Sequence, residues 1–142
     1  MTSHTVEIRE MPREVIPEVE KIATWLRSGS PTYQQAENVR ICQSLDELDD
    51  KDKLKRLFLN EIKKGLPNGR DPSDSHMYVI HYQAPALVPL GEGWIMELIP
   101  LYTVKGPVRV GGKELSRNSY FHLTARDHAS GDFYAAMIIF KI

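Results

Sequence analysis

The sequence predicts one α+β domain spanning residues 1–142, in which N-terminal helices pack on one face of a C-terminal antiparallel sheet. Apolar residues recur with helical spacing in the first part, residues 12–66, and alternate with polar residues in the last part, residues 76–142. Residues 67–75 between them are rich in proline, glycine, asparagine, aspartate and serine, which is typical of a linker. Neither part alone would bury a sufficient core, so both are expected in one domain.

Three helices are predicted before the linker. The first begins near Pro17, since proline fits the first helical turn, and has an apolar face that starts at Val19. The second begins at Ser30, with serine as the N-cap and proline next, and reaches Ile41. The third begins at the capping box Ser44–Glu47, where serine is followed three residues later by glutamate.

Strands joined by short turns are predicted after the linker, which favours an antiparallel meander. Gly111-Gly112 lies between two alternating segments and indicates a tight hairpin. A further turn is predicted at 127–131, and Pro100 is expected to break a strand. At the N-terminus, residues 4–10 alternate weakly and are expected to form a short edge strand.

The last strand, residues 133–140, is apolar on both of its faces. A half-exposed strand would alternate, so this strand is either central and covered on both sides, or one face lines a cavity or a subunit interface. The alternative to a flat two-layer arrangement is a strongly curved, cone-like sheet wrapped around a helix.

The composition argues against several classes of protein. The 18 basic and 19 acidic residues give a formal net charge of −1, which disfavours a double-stranded DNA binder. No apolar run approaches the roughly 20 residues that span a bilayer, and no signal peptide is expected, because charged residues interrupt the N-terminus. The single cysteine, Cys42, cannot form an internal disulfide, so we expect a cytoplasmic protein. The histidines and the cysteine show no metal-ligand spacing, and no cofactor-binding fingerprint is present.

One segment combines side chains that could carry out acid–base chemistry. In a strand over 120–126, His122, Thr124 and Arg126 would share one face. An imidazole, a hydroxyl and a guanidinium are the groups that a metal-independent phosphodiesterase or ribonuclease needs. Further candidates for the same face, if the strand register allows, are His81, Glu97 and Arg109. The commoner alternative is a solvated sheet face opposite the helices, where such residues have no catalytic role.

The leading hypothesis from the sequence is a small binding protein of the inhibitor, immunity or adaptor type. Its motivation is an acidic run in which Asp46, Asp49 and Asp50 could dock on a basic partner. The alternative for these acids is a helix start, where negative charge complements the helix dipole. The doubly apolar last strand is a second candidate surface, either for a protein partner or for self-association.

A small-molecule or isomerase-like pocket between the helices and a curved sheet is the third hypothesis. Its predicted lining is Trp94, Met96, Tyr134, Met137 and Ile139. Ligand pockets are mostly apolar with a few polar groups, and so are protein cores, so the sequence does not separate the two. Whether the protein is an enzyme stays open at this point.

Overall fold

The computed structural model describes residues 5–29, 31–36, 39–48, 52–64, 71–83, 85–116 and 118–141. Within these ranges it contains two α-helices and nine strands that form one antiparallel sheet. The predicted α+β class, with helices on a large antiparallel sheet, is therefore confirmed.

The chain alternates between strands and helices in its first half and then continues as strands. The helices are α1 (Ile16–Arg27) and α2 (Lys53–Lys64). The strands are β1 (Val6–Glu10), β2 (Tyr33–Ala36), β3 (Val39–Cys42), β4 (Ser73–Tyr82), β5 (Ala86–Val88), β6 (Ile95–Val110), β7 (Lys113–Glu114), β8 (Ser119–Leu123) and β9 (Asp127–Lys141). The sheet has the order β1-β8-β6-β9-β4-β3-β2, with β5 paired to β9 and β7 paired to β6. β1 is an edge strand, as the sequence predicted, and β6 lies between β8 and β9.

The first predicted helix is confirmed as α1. Pro17 lies in its first turn, where its missing amide hydrogen leaves no carbonyl unpaired. The face that starts at Val19 is buried against the sheet. The helix ends before Gly29, whose φ of 81° favours glycine.

The predicted second helix is wrong, because the described residues there form the strands β2 and β3, which pair antiparallel. The β-branched residues Val39 and Ile41 alternate with polar neighbours, and β3 pairs with β4 in the register Val39↔Tyr82. This pairing outweighs the N-cap signal at position 30.

The predicted start of the third helix is also wrong. Leu45–Glu47 forms a single 3-10 turn, and α2 begins only at Lys53. The hydroxyl of Ser44 accepts a hydrogen bond from the backbone amide of Thr32, at 2.8 Å, instead of capping the turn. The serine therefore anchors the segment that precedes β2.

Three strand boundaries differ from the sequence prediction. Pro100 does not break β6, because the register shifts beside it, and proline is tolerated at such a bulge. Residues 127–131 are the start of β9 rather than a turn, since Ala129 pairs with β5 and β6. The Gly111-Gly112 hairpin is confirmed, with φ angles of 59° and 79° that match a two-residue hairpin turn. β4 begins at Ser73, inside the expected linker, of which residues 67–70 lie outside the described ranges.

The sheet buries both of its faces, in two separate cores. The core between the helices and the sheet includes Val15, Ile22, Leu54, Phe58, Ile99, Ile138 and Phe140. The core on the opposite face includes Val6, Met96, Leu98, Val110, Phe121, Leu123 and Phe133. β9 is central and is covered on both sides, which is the first of the two alternatives that its sequence allowed.

The second core exists because the sheet bends. β6 pairs with β8 near its beginning, yet the hairpin at its far end returns to β1, where Lys113 Nζ donates a hydrogen bond to the carbonyl of Val6. The far ends of β6 and β9 thus fold over the face that the helices leave open. The helix-covered face carries the site described next.

Candidate functional site

Polar side chains from three strands meet on the helix-covered face of the sheet. The register pairs Glu7 of β1 with His122 of β8, and His122 with Glu97 of β6. Two residues further along β1, Arg9 pairs with Tyr120 of β8. Residues two apart in a strand project to the same face, so these five side chains form one polar group. We call it the Glu97 cluster.

The centre of the Glu97 cluster is a buried histidine–carboxylate pair. His122 Nδ1 lies 2.7 Å from Glu97 Oε1. The Glu97 side chain is fully buried, whereas that of His122 keeps 13 % of its surface exposed. The second carboxyl oxygen of Glu97, Oε2, is buried and has no hydrogen-bond partner among the described residues. Leaving a buried acceptor unpaired costs about 1–3 kcal/mol, so a stability argument does not explain this group.

Burial dominates the protonation of the cluster. It raises the pKa of Glu97 above its ordinary value, although the hydrogen bond from His122 and the charge of Arg9 act in the opposite direction. Burial also raises the pKa of Tyr120, and the neighbouring Glu97 charge adds to that effect. A carboxyl group with a raised pKa exchanges its proton closer to neutral pH than an exposed one does.

The pair lies in the wall of a cavity between α2 and the sheet. The cavity has a volume of about 450 Å³, which falls in the range of small-molecule sites. Its lining is Arg9, Glu10, Pro12, Phe58, Glu61, Ile62, Ile95, Glu97, Tyr120, His122 and Phe140. One side is thus apolar and comes from α2 and the sheet core, whereas the other side is the Glu97 cluster.

The remaining charges of the wall are mostly paired. Arg9 contacts Glu7 at 3.2 Å, and this guanidinium holds the pKa of Glu7 below its ordinary value. Glu61 contacts Lys64 at 2.8 Å within α2. The Glu97–His122 pair differs from them, because Glu97 Oε2 is a buried acceptor without a partner among the described residues.

The arrangement can accept or release a proton at a position next to the cavity. When Glu97 is ionised, His122 donates its Nδ1–H to it, and Nε2 holds a lone pair that can take a proton. When Glu97 is protonated, it donates to Nδ1, and Nε2 then carries the hydrogen. The pair therefore offers either a base or an acid at Nε2.

Among the three residues predicted as catalytic, the structure places only His122 at the cavity. β8 ends at Leu123, so the expectation that His122, Thr124 and Arg126 share one face of a strand is wrong. Thr124 and Arg126 are exposed, and the amide of Thr124 bonds to the carbonyl of Thr5. The conditional neighbour Glu97 is confirmed, because the register brings it to His122.

The face of His122 is not the solvated face that the sequence made the commoner alternative. α2 covers it, and the opposite face, with Phe121 and Leu123, has its own core. The reason is the bend of the sheet, which buries both faces near β8. The sequence pattern of β8 does not reveal this bend, because alternation shows only that one face is apolar.

His81, which the sequence analysis also placed on the face of His122 if the register allowed, belongs to a second cluster on that face. Arg40 donates to His81 Nδ1, with its terminal nitrogen at 2.7 Å, and Asp132 lies 2.5 Å from Nε2. A guanidinium only donates, so Nδ1 must accept and Nε2 must carry the hydrogen. Tyr134 stacks on the His81 ring at 4.0 Å and accepts a hydrogen bond from Arg40. Both ring nitrogens are used, so this network holds β3, β4 and β9 together.

The five residues predicted to line a pocket do not meet. Met96 and Met137 lie in the second core, where Ile139 packs against them, whereas Tyr134 lies in the core beneath the helices. Tyr134 and Met137 are an odd number of positions apart in β9, so they project to opposite faces. Trp94 precedes β6 and contacts Lys141, whose Nζ is 4.6 Å from the ring centroid.

The proposed docking surfaces stay predictions. Asp49 and Asp50 lie outside the described residues, and so does the side chain of Asp46. β9 is covered on both faces by the chain's own cores, so association through it would need a surface other than these faces. Arg109, which the sequence grouped with His122, instead pairs with Glu114 at the β6–β7 hairpin.

The sequence did not single out three residues that shape the site. Arg9 and Tyr120 come from neighbouring strands, and Phe58 comes from α2. The alternation of β1 places Arg9 and Val6 on opposite faces of the strand. Only the pairing of β1 with β8 brings Arg9 next to Tyr120. Phe58 stands edge-on to Tyr120, with ring centroids 5.1 Å apart, and so links α2 to the Glu97 cluster.

Comparison of the chain with models of known protein families, with curated proteins and with solved structures gave no match. Among the described residues, no three histidine, cysteine, aspartate or glutamate side chains cluster closely enough to hold a metal ion. No helix in the described ranges is both long and apolar enough to cross a membrane. The functional argument therefore depends on the geometry of the site.

Proposed function

We propose that the protein is an enzyme that binds a small molecule in the cavity beneath α2 and transfers a proton on it through His122. The observation that supports this most directly is the buried pair of His122 and Glu97 in the wall of a cavity of about 450 Å³. A histidine paired with a buried acid whose pKa is raised, in a concave site, is typical of general acid–base catalysis.

Glu97 acts by orienting His122. Its Oε1 holds Nδ1, so that Nε2 is the nitrogen with which a substrate exchanges its proton. The carboxylate stabilises the imidazolium that forms when Nε2 takes a proton, and the return of the proton completes an isomerisation or an exchange at an acidic carbon. Phe58 and Phe140 place apolar surface in the same wall, and charges beside apolar surface interact more strongly than charges surrounded by water.

Other chemistries have less support from the described residues. Cys42 is half-buried in β3 outside the cavity, and burial raises the pKa of its thiol, which disfavours a nucleophilic role. Arg126, the anion-binding residue of the phosphodiesterase hypothesis, is exposed and does not line the cavity. The cavity therefore favours proton transfer over phosphoryl chemistry.

The test uses a chromogenic probe for a base in an apolar site. The ring of 5-nitrobenzisoxazole opens when a base removes its carbon-bound ring proton, and the product is coloured. We expect saturable ring opening by the wild-type protein and a loss of at least about tenfold in His122→Ala, in line with the contribution of a general base. The matched control is His128→Ala, since His128 is an exposed histidine of β9 away from the cavity.

A positioning role for Glu97 makes a separate prediction in the same assay. Glu97→Gln should lower the maximal rate more than it changes the concentration for half saturation, and should alter the pH profile, because the amide no longer stabilises the imidazolium. Equal rates for the wild type and His122→Ala would show that His122 is not an accessible base, and would overturn the proposed function.

A further inference from the structure

The wall of the cavity carries more negative than positive charge. It contains the three carboxyl side chains of Glu10, Glu61 and Glu97 but the single guanidinium of Arg9, beside His122. The charge of Arg9 is engaged by Glu7 at 3.2 Å and that of Glu61 by Lys64 at 2.8 Å, so Glu10 and Glu97 carry the excess of carboxylates in the wall. An anionic ligand would therefore enter a site with an excess of carboxylates, and like charges in a partly desolvated site repel strongly.

The unpaired oxygen of Glu97 specifies the polar end of the ligand more closely. Oε2 is buried and has no partner in the part of the chain that the structure describes, so it needs a hydrogen-bond donor. The bond between Oε1 and His122 fixes the carboxyl group, so a donor would meet an acceptor that is already oriented. A charged N–H donor gives the stronger bond, because it also compensates the buried negative charge.

The rest of the wall specifies the body of the ligand. Phe58 and Ile62 of α2 face Ile95 and Phe140 of the sheet, and these four side chains offer neither a donor nor an acceptor. Aromatic and branched aliphatic groups lose the most water-exposed surface on such a wall.

We propose that the cavity selects a small amphipathic amine, whose ammonium group donates to Glu97 Oε2 and whose apolar body packs between α2 and the sheet. The inference rests on the proposed function, because it names the substrate class of the same site. It excludes carboxylates and phosphates of equal size.

Three probes that share one phenyl group test this selection. Benzylamine is cationic, benzyl alcohol is a neutral donor, and benzoate is anionic. Each is titrated into the isotope-labelled protein at pH 7.5, and the dissociation constant is measured from the shifts of amide signals in β6, β8 and α2. We expect benzylamine to bind at least about tenfold more tightly than benzoate, with benzyl alcohol between them.

Two variants locate the selection at Glu97. Glu97→Gln should weaken benzylamine to the affinity of benzyl alcohol, because the charge is lost while an acceptor oxygen stays. Glu114→Gln removes an exposed carboxylate of the β6–β7 hairpin and should leave all three affinities unchanged. Ile62→Trp fills the cavity from α2 and should abolish the shifts of all three probes, with an otherwise native spectrum as its folding control.

Benzoate binding as tightly as benzylamine would overturn the selection of an amine, and so would the absence of cavity shifts with all three probes. An amine preference that survives in Glu97→Gln would overturn the role of Oε2. The ring-opening assay reports on His122 with a neutral probe, so failure of the ligand class is distinguishable from failure of the proposed function.

Discussion

Replacement of Glu97 by leucine tests whether this residue serves function or stability. Glu97 is fully buried and carries one unpaired oxygen. On the side away from His122, its neighbours on the same face are apolar, namely Ile138 across the strand pair and Ile95 two positions earlier. A leucine side chain of similar volume therefore fits this environment, and we expect Glu97→Leu to stabilise the fold.

The magnitude follows from two opposing contributions. Removal of the unpaired buried oxygen gains about 1–3 kcal/mol, whereas loss of the bond to His122 costs about 1 kcal/mol, since His122 remains partly exposed to water. The net gain at neutral pH is therefore about 0–2 kcal/mol.

The gain should also depend on pH in a defined direction. The folded-state pKa of Glu97 is raised above the ordinary value of 4.5, mainly by burial. Below pH 4.5 the carboxyl is neutral in the folded and the unfolded protein, so its raised pKa does not lower the free energy of unfolding. As the pH rises through the folded-state pKa, the buried carboxyl ionises and the free energy of unfolding falls. The advantage of leucine should therefore be smallest below that pH and grow toward neutrality.

Urea unfolding followed by the fluorescence of Trp25 and Trp94, between pH 4 and pH 8, measures this difference. Glu97→Gln serves as the control, because it keeps the size and one acceptor but does not titrate. If Glu97→Leu is less stable than the wild type at neutral pH, Glu97 contributes to the fold and the functional argument for its burial fails. A gain that does not change with pH would contradict the raised pKa.

Three further predictions concern the described core and turns, and urea midpoints test all of them. Arg40→Met leaves His81 Nδ1 and the Tyr134 hydroxyl without their donor and should lower the free energy of unfolding by about 2–3 kcal/mol. The control Arg109→Met breaks an exposed ion pair and should lower it by less than about 1 kcal/mol. Equal losses of stability in the two variants would contradict the structural role of Arg40. Phe58→Ala removes a ring that is 1 % exposed and should cost about 3–5 kcal/mol, and a loss comparable to that of a surface substitution would contradict the packing of α2 on the sheet. Gly111→Ala should cost about 1 kcal/mol more than Gly112→Ala, because its new Cβ would lie 2.7 Å from Asp127 Oδ2 and 2.9 Å from Val6 Cγ2, while Gly112 has open space. The reverse order would contradict the packing of the hairpin against β9 and β1.

Two elements were predicted from local signals. The helical spacing of the apolar residues in α1 and the two glycines of the β6–β7 hairpin are recognised in the sequence without knowledge of distant contacts, and both predictions are confirmed. A helix from Ser30 to Ile41 was predicted because serine and proline stand at its start, yet the pairing of β3 with β4 decides the structure of residues 39–42. Pro100 shows the same effect, because a bulge inside a central strand accommodates it.

The site could be predicted only in part. His122 was selected for its chemistry, and Glu97 was a conditional neighbour whose position depended on the register of β6 and β8. Thr124 and Arg126 do not belong to the site, because β8 ends earlier than the alternation in the sequence suggests. The cavity could not be predicted, because the packing of α2 over the face of His122 depends on contacts between residues far apart in the sequence.

Two histidine–acid pairs, His81 with Asp132 and His122 with Glu97, can be compared within this chain, and the comparison supports the proposed role of His122. Both lie on the helix-covered face, and both join neighbouring strands of the sheet. At His81, Arg40 and Asp132 occupy both ring nitrogens, and the stacked Tyr134 ring closes the cluster, so no ligand can exchange a proton with it without breaking the network.

At His122, the acid occupies only Nδ1, and the acid itself retains a buried oxygen without a partner among the described residues. The same pair of residue types is thus used in two ways, and the difference lies in what surrounds it. The first cluster is closed by arginine and tyrosine, which suits a link between strands. The second adjoins a cavity of about 450 Å³, and an incompletely satisfied acid beside a histidine is the arrangement that a bound substrate completes.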